Sequence, residues 1–136
     1  MKILLDTNII IDVLTKRAGY EQSLALIRYC ELGKAEGFIS ATTVTDVVYI
    51  MRKHIPPAQV REAVQTLLVI VDVASVLKGD ISAAFLSDMQ DFEDAVQAAC
   101  ALRIGVKYLV TRNLKDFDKS PVPAISPDTM LDILGG

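Results

Sequence analysis

Met1-Lys2-Ile3-Leu4-Leu5-Asp6-Thr7-Asn8 opens the chain. Ile3, Leu4 and Leu5 read as a short buried strand. A carboxylate, a hydroxyl and an amide follow at once. In an open α/β sheet, ligands bind just beyond the carboxyl ends of the strands. Asp6 is therefore predicted to stand at such an end, where an acid can hold a metal ion or face a reacting phosphate.

Outward from this stretch, strand and helix patterns alternate. The first strand is Ile3–Asp6, and apolar periodicity predicts helices over Asn8–Thr15 and Tyr20–Leu32, the second ended by Gly33. Gly37–Ser40 reads as a strand, and Ser40 as the cap of a helix running to about His54. Pro56-Pro57 breaks the pattern before a helix over Ala58–Ile70, and Val71–Val76 reads as a strand. Helices follow over Lys78–Met89 and Phe92–Ile104, then a strand at Tyr108–Thr111 and a polar loop to Lys119. Ala124-Ile125 is a last short strand, and Ser126-Pro127 starts a terminal helix with Ser126 as cap. This alternation indicates an α/β fold with a mostly parallel sheet covered on both faces.

The totals narrow the function. The chain has 136 residues, 51% of them hydrophobic, which suits one domain, 1–136, with a substantial core. A net charge of −3 argues against a broad basic face coating nucleic acid. It leaves room for an RNA enzyme whose acids gather around a metal while basic residues hold the backbone at the rim. Cys30 and Cys100 lie within apolar helical patterns and read as reduced core residues. No apolar run approaches the roughly 18 residues of a membrane span, and Asp6 interrupts any signal-peptide-like region. The expected compartment is the cytoplasm.

Four places put an acid just past a strand or near a helix start: Asp6, Asp46, the group Asp91, Glu93 and Asp94, and Asp116. A parallel sheet gathers its strand ends along one edge, so these acids can meet there. Carboxylates held together without a cation repel one another. A divalent cation removes that conflict, and Mg²⁺ and Mn²⁺ prefer oxygen ligands. Such a site can activate water and stabilise charge on a phosphodiester, with one ion or two. Each acid also has a plainer role: Asp91 as the N-cap of Phe92–Ile104, Asp6 as a cap, Asp116 as a turn residue, Asp46 and Glu93 as solvated helix residues. Thr7 and Asn8 can support Asp6, Ser40, Thr42 and Thr43 can support Asp46, and Thr111 is expected near Asp6. Asn113 can shape its turn or touch water in the site. Arg112 and Lys115 flank the acidic loop as candidate RNA contacts, and Arg17, Arg52, Lys53 and Lys119 are further candidates for phosphate. His54, the single histidine, is explained by the helix end it occupies.

The order Leu5-Asp6-Thr7-Asn8, Asp46, Asp94-Ala95-Val96-Gln97-Ala98-Ala99 and Val110-Thr111-Arg112-Asn113-Leu114-Lys115-Asp116-Phe117 resembles a PIN domain. Within that superfamily the chain is similar to the small single-domain toxins of the VapC type. The resemblance implies a three-layer α/β/α fold around a parallel sheet of about five strands. It also implies a Mg²⁺- or Mn²⁺-dependent endoribonuclease, usually a homodimer, held inactive by an antitoxin protein. By position, Asp6, Asp94 and Asp116 match the first, third and fourth acids, which bind the metal. Asp46 stands at the second, where the pattern most often has Glu, and serves as ligand or as base for the attacking water. Thr7, Asn8, Thr111 and Asn113 would support them. Cleavage is expected to leave a 5′-phosphate and a 3′-hydroxyl.

The alternatives fare less well. A haloacid-dehalogenase-type phosphatase needs a second acid two residues after Asp6, where this chain has Asn8. A receiver domain needs paired acids at the first strand end and a late lysine, a set not found here. No Gly-x-Gly-x-x-Gly follows a strand. The main rival is a PIN-like module that binds RNA or protein without cutting.

Overall fold

A computed structural model describes residues 1–135. The chain runs β1 (Lys2–Leu5), α1 (Thr7–Thr15), α2 (Tyr20–Glu31), β2 (Glu36–Ser40), α3 (Ala41–Met51), α4 (Pro57–Ile70) and β3 (Asp72–Ala74). It continues through α5 (Lys78–Leu86), α6 (Phe92–Ile104), β4 (Tyr108–Val110), a one-turn 3₁₀ helix (Leu114–Phe117), β5 (Ala124–Ile125) and α7 (Pro127–Gly135). The five strands form one parallel sheet in the order β3-β2-β1-β4-β5. This is the three-layer α/β fold expected from the sequence.

The alternation of side chains along β1 separates two cores. Ile3 and Leu5 point with Val110 and Ile39 into a cluster completed by α1, α2, α3, α4 and α7 through Ile10, Leu26, Met51, Val64 and Met130. Leu4 and Leu109 point the other way, into a cluster built with Ala84 of α5, Val96 and Ala98 of α6, and Phe117. Ile3, Leu4 and Leu5 are all fully buried. Burying each is worth about 1.5–3 kcal/mol, so β1 anchors both layers. Cys30 and Cys100 are buried free thiols. Among the described residues, no helix is long and apolar enough to cross a membrane.

Element boundaries differ where local chemistry intervenes. Helix α3 stops at Met51 instead of His54, because Lys53 and His54 donate to the carbonyls of Ile50 and Met51 in a tightened last turn. Ile55 precedes proline, which disfavours helical backbone there. Helix α5 stops at Leu86, and the next segment turns on Ser87, whose hydroxyl accepts from Met89 N at 3.0 Å. The loop after β4 contains the 3₁₀ turn, seated by buried Phe117.

The strand order places a topological switch between β1 and β4. From β1 the chain builds outward through β2 and β3, then returns to add β4 and β5 on the other side. The register pairs Leu5 with Val110, so the residues after these strand ends are Asp6 and Thr111. Such a switch opens a crevice at the carboxyl edge of the sheet.

Candidate functional site

Asp6 lies in that crevice, only 1% exposed. Its backbone N–H donates to Val110 O at 3.0 Å, which continues the β1–β4 pairing by one residue. It holds the N-cap position of α1, yet its carboxylate makes no capping hydrogen bond. Instead Oδ1 accepts from Gln97 Nε2 at 3.0 Å and Oδ2 accepts from Thr111 Oγ1 at 2.9 Å. Burial pushes the Asp6 carboxyl above its ordinary range, while its hydrogen bonds from Gln97 and Thr111 hold it back.

The amino end of α6 brings the next acids. Asp91 caps the helix, its Oδ1 accepting from Asp94 N at 2.9 Å. Asp94, half-buried, is pushed up to about 7 by burial, followed by the charges of Asp91, Asp6, Asp116 and Glu93. Glu93 is exposed, as expected, but it is not isolated. It lies beside Asp46, and burial, a hydrogen bond to the Asp46 carboxylate and the charges of Asp46 and Asp91 raise its pKa. Glu93 thus joins the site from α6 while Asp46 joins it from α3.

Asp116 sits on the exposed 3₁₀ turn. With Asp94, Asp91, Asp88, Lys115 and Lys119 it lines a cleft of about 560 Å³ between that turn and α6. Among the described residues none of Asp6, Asp94 and Asp116 forms an ion pair. As the side chains stand, no group of three carboxylate, imidazole or thiolate residues among them is close enough to hold an ion. The donor set is nevertheless all oxygen and anionic, and none of its acids is tied up in an ion pair among the described residues. Mg²⁺ commonly takes only one or two carboxylates and fills its shell with water and phosphate. The residues fit a divalent ion in charge and donor type, and they do not form a closed cage.

The supporting residues divide. Thr111 holds Asp6 as expected, and its hydroxyl also accepts from Asn113 N at 2.9 Å. Thr7 turns away from Asp6: its hydroxyl shares a hydrogen bond with Thr43 Oγ1 at 2.7 Å. Thr43 in turn contacts Ser40, whose hydroxyl accepts from Thr43 N at 3.2 Å as the cap of α3. Ser40 and Thr42 share a further bond at 2.7 Å. These hydroxyls join the starts of α1 and α3 to each other and make no bond to Asp46. Arg112 points away from the acids, with Nη1 donating to Asp12 Oδ2 at 2.7 Å. Lys115 stays at the acidic cleft, and Asn8 lines a separate concavity with Arg112 and Asn113.

Two residues of this region were not singled out from the sequence. Gln97, 2% exposed, bridges Asp6 and α1, its Oε1 accepting from Thr7 N at 3.3 Å. It stands three residues after Asp94, a spacing that puts both on one side of α6. Asp12, 4% exposed, is the one charge in Ile9-Ile10-Ile11-Asp12-Val13-Leu14. A lone acid inside an apolar helix signals a buried partner, here Arg112.

A family model described as the PIN domain matches residues 2–115. The chain belongs to the PIN-domain family. The fold of this PIN domain is shared by solved structures of low sequence identity. VapBC2 from Rickettsia felis bound to a DNA fragment from their promoter superposes with a TM-score of 0.73 and 18% identity, covering 93% of this chain and 98% of that one. A toxin–antitoxin complex from Klebsiella pneumoniae gives 0.69 and 24%, covering 92% and 97%. The sarcin-ricin-loop-cleaving toxin VapC20 of Mycobacterium tuberculosis gives 0.63 and 14%, covering 79% and 86%. No curated protein matches this PIN domain in sequence.

Proposed function

We propose that residues 1–136 form a single PIN domain that acts as a Mg²⁺- or Mn²⁺-dependent endoribonuclease, the toxin of a toxin–antitoxin pair. The observation that carries this reading is Asp94. Half-buried, it lines one cleft with Asp88, Asp91 and Asp116 and has no ion-pair partner among the described residues. An arrangement that costs stability without a cation suits a site made for one.

Asp6, Asp94 and Asp116 are the residues that would hold the ion. When bound, it lowers the pKa of water and neutralises charge developing on the phosphodiester. Gln97 and Thr111 fix both oxygens of Asp6, so that ligand is pre-oriented. Asp46 accepts a proton from the attacking water as its oxygen bonds to phosphorus, the bond from phosphorus to the 3′-oxygen breaks, and that oxygen takes a proton from solvent, giving a 5′-phosphate and a 3′-hydroxyl. Asn8, Thr7, Thr111 and Asn113 shape the surroundings, and Lys115 contacts RNA at the cleft rim.

The shared fold of VapBC2 and of the Klebsiella pneumoniae toxin–antitoxin complex supports an antitoxin partner. The VapC20 toxin, named for cleaving the sarcin-ricin loop, supports RNA as substrate. The working compartment is the cytoplasm and the working form a homodimer. Helices α2 and α4 bury Leu26, Ile27, Val60, Val64 and Leu67 in the chain's own core. Phe85, Leu86, Phe92 and Leu102 of α5 and α6 are exposed and better suited to the dimer face.

The spacing of the acids favours the second reading, a PIN-like module that binds RNA or protein without cutting. Calorimetric titration with Mn²⁺ separates the two. The expected result is binding that is lost in an Asp6→Asn, Asp94→Asn double variant; equal affinity in both proteins would reduce the acids to a surface patch.

A further inference from the structure

Asn8, Asp12, Arg17, Arg112 and Asn113 line a concavity of about 380 Å³, distinct from the acidic cleft. Two hydrogen bonds connect it to Asp6, since Thr111 Oγ1 donates to Asp6 and accepts from Asn113 N. The carboxylate of buried Asp12 lies 2.7 Å from Arg112 Nη1 and 3.4 Å from Arg17 Nη1. Two guanidiniums therefore share one carboxylate, and this concavity carries a net positive charge in a chain of net −3.

Each guanidinium has five N–H donors. Asp12 engages one nitrogen of each, and the side chains of Arg17 and Arg112 remain 50% and 36% exposed. Asp12 holds Arg112 by a hydrogen bond and Arg17 by a longer ion pair, so Arg112 is the more firmly placed of the two. Gly19 leaves the room that Arg112 occupies: its φ is +83°, and a Cβ there would stand 2.8 Å from Arg112 Nη2. A guanidinium held this way loses little freedom when it binds, and its fork matches phosphate oxygens. The amides of Asn8 and Asn113 add neutral polar groups of the kind that contact nucleic-acid backbones.

We infer that this concavity is a subsite for an RNA backbone phosphate flanking the scissile one, held by Arg17 and Arg112. The inference rests on the ribonuclease reading above, and it separates two roles: acids on one side of Asp6 for the reaction, arginines on the other for the strand.

The test is the affinity for a mixed-sequence, single-stranded RNA about 12 nucleotides long. It is measured at several salt concentrations with EDTA present so that the strand stays uncut. Arg17→Gln is expected to weaken binding on the order of tenfold and to flatten the plot of log affinity against log salt by about 0.7. Arg112→Lys, which keeps the charge beside Asp12, is expected to lose affinity without losing the fold, with an unchanged circular-dichroism melt. Mn²⁺ affinity should be equal in the parent and Arg17→Gln. Unchanged RNA affinity and slope in both variants, with a parent that binds RNA, would overturn the subsite and leave the ribonuclease reading standing. A parent that neither binds this RNA nor cuts total RNA would overturn both.

Discussion

Gln97 Nε2 donates to Asp6 Oδ1 across 3.0 Å, and the same side chain accepts from the N–H of Thr7. One buried amide thus ties the end of β1 and the start of α1 to α6. It sets the distance between the first acid and Asp94, one turn earlier on the same helix.

Gln97→Leu keeps much of the volume and removes both hydrogen bonds. It leaves a carboxylate oxygen and a backbone amide unpaired inside the protein, at roughly 1–3 kcal/mol each. The expected loss of stability is roughly 2–4 kcal/mol by urea denaturation, with weaker Mn²⁺ binding because Asp6 is no longer held. Unchanged stability would mean that Gln97 only fills space.

The raised carboxyls make stability depend on pH. Asp94 titrates near its ordinary 3.8 when unfolded and about 7 when folded, and Asp6 is also raised. Between those values the folded chain holds the extra proton, so stability falls as pH rises. The contribution is fully present below about 4 and lost as pH passes through about 7. Melting in EDTA should show wild type losing more stability than Asp94→Asn between pH 5 and pH 8, and Mn²⁺ should restore the difference at pH 8. Parallel curves for the two proteins would show that Asp94 is not raised.

Gly19→Ala tests how Arg112 is seated. The substitution forces a left-handed φ on a residue with a side chain and drives its Cβ into the guanidinium. The expected destabilisation is about 1–3 kcal/mol, read from urea unfolding. A neutral effect would mean that Arg112 moves freely away from Asp12.

Much of this was legible in the sequence, for local reasons. The apolar run Ile3–Leu5 could only be buried, and Asp6 after it had to meet the sheet edge. Ser40, Asp91 and Ser126 mark helix starts because their side chains accept from amides three residues on, as they do in the structure. Thr111 was expected near Asp6 because it ends its strand at the sheet edge where Asp6 stands. What stayed hidden depends on partners distant in sequence. Gln97 reads as an ordinary helix residue until Asp6, 91 residues away, is placed against it. Arg112 reads as a rim cation until Asp12, 100 residues earlier, is found to hold it. Glu93 is solvated as its sequence suggests, but the acid beside it, Asp46 of α3, lies 47 residues earlier and is not visible from periodicity. The exact ends of α3 and α5 were set by a following proline and by a serine's own backbone bond, effects of one or two residues that apolar periodicity does not resolve.

The most direct measurement is cleavage of total RNA by the purified protein with Mn²⁺, with EDTA, and with Asp6→Asn or Asp94→Asn in place of wild type. The expected result is discrete fragments bearing 5′-phosphates that require both the metal and the two acids. Fragments that persist in EDTA or in the variants, or intact RNA with a folded protein that binds Mn²⁺, would contradict a metal-dependent ribonuclease built on Asp6 and Asp94.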